Sequence, residues 1–182
     1  FYMDLNWRKQ YVGVLEMEYD GIKFYFIDNE YYFNGYAPYG DMYADIEKFA
    51  FFSKAVLSAL PLIDFRPDII HCHDWQTGLV PVYLDNFRYG NEFYRGIKTV
   101  MTIHNLKFQG TWDPKRVRDI TGLPQYYFAP DKLEAYKDAN YLKGGIVYAD
   151  RVTTVSNTIL WRETGRSYEC KSKLPVWNCE RN

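Results

Sequence analysis

The stretch Asp68–Leu84, DIIHCHDWQTGLVPVYL, leaves few folds open to this chain. A short apolar segment leaving Arg66-Pro67 reads as a buried strand. After Thr77-Gly78, the run LVPVYL reads as a helix, with Thr77 a candidate N-cap and Pro81 in its first turn. His73, Asp74 and Trp75 therefore fall where strand hands over to helix. In an open parallel sheet that place, beyond the carboxyl ends of the strands, is the crevice where ligands bind.

Two further runs repeat the pattern. Lys98–His104, KTVMTIH, is β-branched and uncharged after its first residue and reads as a second buried strand. It too ends in polar groups: His104, Asn105, Lys107, Gln109 and Gly110. Arg151–Ser156 reads as a third. Between them lie helical patterns. Phe49, Phe52, Val56, Leu60 and Ile63 recur at three and four residues, an amphipathic helix of about five turns closed by Pro61 and Pro67. Asp45 and Glu47 sit in its opening turn, where the helix dipole favours negative charge. Asp113-Pro114 caps a short helix to Ile120. A longer helix from Asp131 would put Leu133, Tyr136, Asn140, Gly144 and Val147 on one face. Gly144-Gly145 inside it is costly and must be offset by close packing or close backbone approach. At the front, Tyr11–Tyr19 and Ile22–Ile27 flank Asp20-Gly21, a strong hairpin signal. A polar and aromatic loop follows from Asp28 to Gly40. The expected fold is α/β, a Rossmann-like doubly wound, mostly parallel sheet with an antiparallel N-terminal β-hairpin.

Composition excludes more than it proves. A net charge of −1 gives no electrostatic case for nucleic acid or a membrane surface. No stretch is apolar enough to span a bilayer. Three widely spaced cysteines, Cys72, Cys170 and Cys179, make neither a disulfide framework nor a CxxC site, so a reducing cytosol fits best. The 18 Tyr and 12 Phe suit sugar-stacking surfaces, although a Tyr-rich core is the simpler explanation. The chain opens at Phe1, which suggests a fragment.

Several chemistries compete at the handover. His71 and His73 share a strand face, but Cys72 points the other way and only one further histidine exists, so a metal site is not expected. Nothing marks Cys72 as an activated thiolate; it reads as a small buried strand residue. His73 alone would pass for a structural histidine. With His104 and Asn105 ending the next strand, and Asp74 and Gln109 nearby, a polar hydrogen-bonding crevice becomes the better reading. It has no phosphate cradle of the GxGxxG or GxxxxGK[ST] kind.

The segments FIDNEYYF (Phe26–Phe33), YADIEKFAFFSKAVL (Tyr43–Leu57), PDIIHCHDWQTGLVPVYL (Pro67–Leu84), TIHNLKFQG (Thr102–Gly110) and NYLKGGIVYADRVTTVS (Asn140–Ser156) carry a resemblance. In this order and spacing they resemble the N-terminal domain of bacterial glycogen synthases and plant starch synthases, over roughly Gly13 to Thr158. The resemblance implies one half of a two-domain GT-B glycosyltransferase. Such an enzyme passes glucose from ADP-glucose to the non-reducing end of an α-1,4-glucan with retention of configuration. It needs no cofactor and no metal, and its location would be the bacterial cytoplasm or the plastid. His73 matches the family's active-site histidine. A neutral imidazole there can hydrogen-bond a sugar hydroxyl or polarise a group where charge develops. Asp45, Asp74, Trp75, His104, Asn105 and Gln109 are the expected substrate-binding residues.

The departures shape the expectation too. Family chains open with a strand and a KxGGL loop whose lysine and glycines contact the nucleotide-sugar diphosphate, and nothing in Phe1–Gln10 matches it. The C-terminal GT-B domain, the expected partner that completes the donor site, is absent. Residues 1–158 are thus expected to be a partial synthase N-terminal domain, inactive alone, and 159–182 a tail unlike the family. A sheet lacking its first strand is expected to keep an unpaired edge and to self-associate. Two other readings stay open: a stand-alone glucan-binding or regulatory half-domain, and a GT-B enzyme of the sucrose or trehalose synthase type.

Overall fold

The computed structural model describes residues 1–35 and 37–155. Strands β1 (Tyr2–Leu5) and β2 (Arg8–Tyr11) form a first hairpin, and β3 (Gly13–Tyr19) and β4 (Ile22–Asp28) a second. The second turns on Asp20 (φ 53°) and Gly21 (φ 73°), the paired positive φ values that the Asp-Gly signal foretells. Helix α1 (Glu30–Phe33) follows, capped by Asn29, whose side chain accepts from the Tyr32 amide. Next come α2 (Met42–Ala59), β5 (Ile69–His73), α3 (Leu79–Arg88) and β6 (Lys98–Ile103). Then β7 (Thr111–Trp112), α4 (Pro114–Thr121), β8 (Glu134–Ala135), β9 (Asp138–Asn140), α5 (Tyr141–Tyr148) and β10 (Arg151–Thr154) complete the order.

The organising sheet is parallel, in the order β10-β6-β5. Thr102 of β6 sits opposite His73 on one side and Thr153 on the other. Crossovers through helices bring each strand back in the same direction, the Rossmann-like α/β arrangement that the alternating sequence pattern requires. β5 is an edge of this sheet among the described residues. The strand end at Ser156, the tail 159–182, Cys170 and Cys179 lie outside the described residues.

The main core gathers Leu79, Val82, Tyr83 and Leu84 of α3, Met101 and Ile103 of β6, and Tyr141 and Leu142 of α5. Cys72 is buried in it as expected, and burial pushes its thiol up to about 12, so it is no nucleophile. A second, smaller cluster joins Met3, Leu5 and Val12 of the front hairpin to Phe51 and Ala55 of α2. Because α2 serves both clusters, with Ile46, Ala50 and Leu57 turned to the first, it is not the single-faced helix its periodicity suggests. The expected stripe of Phe49, Phe52 and Val56 is only half-buried, and the helix stops at Ala59, before Pro61.

One expected element is replaced. The helix from Asp131 does not form; β8 and β9 make a small antiparallel hairpin there, joined to β7. Its two turn residues, Tyr136 (φ 53°) and Lys137 (φ 73°), adopt the left-handed region without glycine or asparagine. Tyr136 is 95% exposed, so the helical face it was expected to share does not exist. The true helix, α5, starts at Tyr141 under an Asn140 cap whose side chain accepts from the Lys143 amide.

The reason for Gly144-Gly145 is now visible. A Cβ on Gly145 would meet Gly78 Cα at 3.1 Å, and one on Gly144 would meet Val82 Cγ2 at 3.0 Å. A Cβ on Gly78 would lie 2.2 Å from the Tyr141 carbonyl oxygen. The two glycine motifs, far apart in sequence, let α5 lie backbone against backbone on the turn after β5.

Candidate active site

The turn between β5 and α3 is fixed by its own polar side chains. Thr77 does not cap α3 as expected. Its hydroxyl turns back, accepting from the His73 amide at 2.7 Å and lying 2.7 Å from the His73 carbonyl, which closes the loop on the strand end. Trp75–Thr77 form a single 3-10 turn, and Gly78 takes the position before α3. Asp74 holds φ 55° and ψ −174°, a conformation costly for any side-chain residue, in the sheet-top crevice where such strain gathers.

Asp74 earns that conformation through what its carboxylate does. Its Oδ1 accepts from the His104 amide at 2.7 Å and the Asn105 amide at 3.2 Å, while its own amide donates to the Thr102 carbonyl at 3.0 Å. The carboxyl ends of β5 and β6 are thus clamped together. Asn105 then accepts on Oδ1 from the Lys107 amide at 3.0 Å, which orients its side chain at the exposed rim.

The clamp brings all three histidines of the chain together. His71 and His73 project from the same face with ring centroids 4.3 Å apart, and His73 and His104 are 5.3 Å apart. His71 Nε2 lies 2.6 Å from Thr102 Oγ1, which lies 2.6 Å from Thr153 Oγ1, a polar chain across three strands. His73 Nδ1 lies 3.0 Å from His104 Nε2. Partial desolvation at the strand end, then the neighbouring imidazoles of His71 and His104, lower the His73 pKa below its usual 6.5, against the weaker opposite pull of Asp74. At neutral pH the ring is uncharged and can serve as a hydrogen-bonding group.

The other expected residues are not all in this cluster. Trp75 is 3% exposed and packs edge-on to Phe49 at 4.9 Å, under Gly110, where any Cβ would sit 2.2 Å from the indole. It anchors the turn from beneath and offers no ring surface to the crevice. Gln109 is committed at both ends: its Nε2 donates to the Leu106 carbonyl at 3.0 Å, and its Oε1 accepts from Asn140 at 2.6 Å. It staples the loop after β6 to the cap of α5. Asp45 is buried in α2, paired with Lys48 at 2.6 Å and accepting from the Gly40 amide at 3.0 Å.

Asp45 nevertheless borders a second feature, a cleft of about 740 Å³ lined by residues of α1, by residues 34–35 and 37–40, and by the first turns of α2. Aromatic rings of Tyr31, Phe33, Tyr39 and Phe49 line it, and Gln76 reaches it from the active-site turn, donating to the Tyr39 hydroxyl at 3.0 Å. Its wall is set by Glu47, which accepts from Arg8 at 2.6 Å and from the Tyr32 hydroxyl at 2.8 Å. Sequence reading singled out the polar and aromatic loop that holds Tyr32 and Tyr39, but gave no site role to Gln76 or to this Arg8–Glu47–Tyr32 group. That loop and a second carboxylate in the opening of α2 were its foretastes. Among the described residues no three His, Cys, Asp or Glu side chains converge as metal ligands.

Comparison with known proteins agrees with this architecture. Residues 1–172 match the family profile described as starch synthase catalytic domain. The chain is 73% identical over 158 residues to a glycogen synthase of Lachnoclostridium phytofermentans, covering 87% of this chain and 33% of that protein. It is 72% identical over the same length to the glycogen synthase of Lachnospira eligens. The chain therefore spans about a third of the length of the curated relatives it matches. Among solved structures, the catalytic domain of Starch Synthase IV from Arabidopsis thaliana, bound to ADP and acarbose, superposes with a TM-score of 0.71 at 27% identity, covering 85% of this chain and 32% of that one. That neighbour is a GT-B glycosyltransferase, and the parallel sheet with its crossover helices is of the same α/β type. On the strength of the profile and of relatives this similar, the chain belongs to the starch and glycogen synthase catalytic-domain family.

Proposed function

We propose that this chain forms part of a retaining glucosyltransferase that passes glucose from ADP-glucose to the 4-hydroxyl at the non-reducing end of an α-1,4-glucan. The observation that carries the reading is the clamped sheet top: an uncharged His73 and the Asn105 side chain at the carboxyl ends of two parallel strands, next to an aromatic cleft. Family membership supports glucosyl transfer in glycogen synthesis, and a structural neighbour holding ADP and acarbose supports a nucleotide and a sugar chain as ligands.

In this reading His73 hydrogen-bonds the donor glucose where charge develops, Asn105 assists at the rim, and the cleft above Asp45 receives acceptor glucose units against its tyrosine and phenylalanine rings. Asp74, Trp75 and Gln109 act beneath, holding the strand ends and loop in place. No general base is required from this chain, because the departing phosphate can accept the acceptor's proton. The chain spans about a third of its relatives' length, so the activity belongs to a longer protein, with a C-terminal domain completing the donor site in a cytoplasmic enzyme. The 182-residue chain is inactive alone.

The test is His73→Ala in a full-length synthase carrying this segment. The kcat is expected to fall by about 10²-fold or more, the scale for losing one transition-state hydrogen bond. The melting temperature is expected to move little, because His73 is exposed and contributes few core contacts. Earlier melting with kcat intact would make His73 a structural residue and remove the reading.

A further inference from the structure

Each imidazole at the sheet top has two nitrogens and, when neutral, one proton between them. Which nitrogen holds it decides whether the ring donates or accepts towards a ligand. For His73 the choice is constrained by the 3.0 Å contact between its Nδ1 and His104 Nε2, since only one of those two atoms can carry hydrogen in that bond. His104 is not free to drift away. Its backbone amide is held by Asp74 Oδ1 at 2.7 Å, and Asp74 directly follows His73 in the chain. His71 takes no part, because its Nε2 is engaged by Thr102 at 2.6 Å. Among the described residues nothing partners His73 Nε2, which is left for the crevice.

Two proton arrangements satisfy the contact. In one, His73 donates from Nδ1, which forces the less favoured tautomer on His73 and leaves Nε2 a bare acceptor. In the other, His104 donates from Nε2, and both rings then hold the Nε2–H form that a neutral imidazole prefers in water. We propose that His104 is the positioning residue of this site, donating from Nε2 to His73 Nδ1 so that His73 presents an Nε2–H donor to the crevice. A sugar hydroxyl oxygen is the group such a donor fits, and a developing negative charge is the group it stabilises most. The groups that face His73 are His71 on its own strand, His104 beyond β6 and the Asp74 carboxylate. The use of the donor rests on the proposed transferase reading; the proton arrangement does not.

Two-bond proton–nitrogen correlation spectra of the 182-residue chain, with nitrogen-15 histidine, report the protonated nitrogen of each ring. Above the histidine titration range, at about pH 8, His73 is expected to show a protonated Nε2 and an Nδ1 shifted to the position of a hydrogen-bonded acceptor. His104→Phe keeps a ring but removes the donor, so the Nδ1 signal moves to its unbonded position and some Nδ1–H form appears. His104→Gln, whose amide can donate, restores the original signal. A wild-type His73 protonated at Nδ1 overturns the proposal, and so does a His104→Phe spectrum unchanged at Nδ1. The wild-type Nδ1 shift decides the matter even if the Phe variant fails to fold. In a full-length synthase carrying the segment, His104→Phe is expected to lower kcat with partial recovery in His104→Gln. If the spectra are as expected and kcat stays unchanged, the catalytic reading of His73 fails while the proton arrangement stands.

Discussion

The parallel sheet and the β3–β4 hairpin use similar residues to opposite ends. In β6, KTVMTI, Met101 and Ile103 are buried in the main core with residues of α3 and α5, Met101 wholly, while Val100 on the opposite face is half-buried. In the hairpin, Leu15, Met17 and Tyr19 sit opposite Phe26, Phe24 and Ile22, so six large apolar side chains share one face, and all six are exposed. The other face carries the Glu16–Lys23 ion pair at 3.4 Å and Glu18. Alternation in a sequence states which residues share a face. It does not state what covers that face.

The contrast is broken most forcefully on the covered side. Trp75→Ala removes the largest side chain under the active-site turn and is expected to cost about 3–5 kcal/mol, the range for a buried aromatic. Chemical denaturation of the isolated chain measures it. A cost under about 1 kcal/mol would mean the turn is not supported from below.

Asp150 gives a smaller effect on the same side. It joins the start of β6 to the start of β10, accepting from the Thr99 amide at 2.9 Å and from Lys98 at 3.0 Å. Burial works to raise its pKa, but the Thr99 amide, then Lys98 and the Thr99 hydroxyl, outweigh it and hold the value below the usual 3.8. Asp150→Asn is expected to cost about 1–2 kcal/mol near neutral pH. A depressed carboxylate contributes stability that is present above its unfolded value and lost as pH falls through its folded one. The gap between wild type and variant should therefore close below about pH 4. A gap that stays constant down to pH 2 would remove the charge from the explanation.

On the uncovered side, the double change Leu15→Lys and Phe24→Lys is expected to shift stability by no more than about 0.5 kcal/mol, since exposed residues lose little. Light scattering is expected to show self-association of the parent chain and less of it in the variant, because an apolar face of this size is an association site. If the variant unfolds like a core substitution, the face is covered in solution and the contrast disappears.

These two regions also show what could be read beforehand. The three parallel strands, the Asp-Gly hairpin and the helix after Gly78 were legible, because each has a local signal that tertiary contacts reinforce. The hairpin at Tyr136-Lys137 was not. Its left-handed turn lacks Gly, Asn or Asp, and Leu133 with Tyr136 mimics helical spacing by coincidence. In the site, His73, Asp74, His104 and Asn105 were legible as a set, since strand ends in a parallel sheet must converge. Trp75 and Gln109 were misplaced because their partners, Gly110 in the loop after β6 and Asn140 at the end of β9, reach them along a path that no spacing reveals. Gln76, which donates to the Tyr39 hydroxyl, was overlooked for the same reason.

The hydroxyl chain from His71 through Thr102 to Thr153 has a consequence for how the strands find their alignment. Sliding β6 by a single residue would put Met101 or Ile103 where a hydroxyl must bridge an imidazole and a second hydroxyl, and would turn Thr102 into the hydrocarbon interior. Sliding by two would keep the parity but offer valine or His104 instead. The backbone ladder alone accepts any of these offsets almost equally. The threonine pair makes the sheet discrete, like a toothed rack with one matching position, and that position is the one that brings His73 Nδ1 within reach of His104 Nε2.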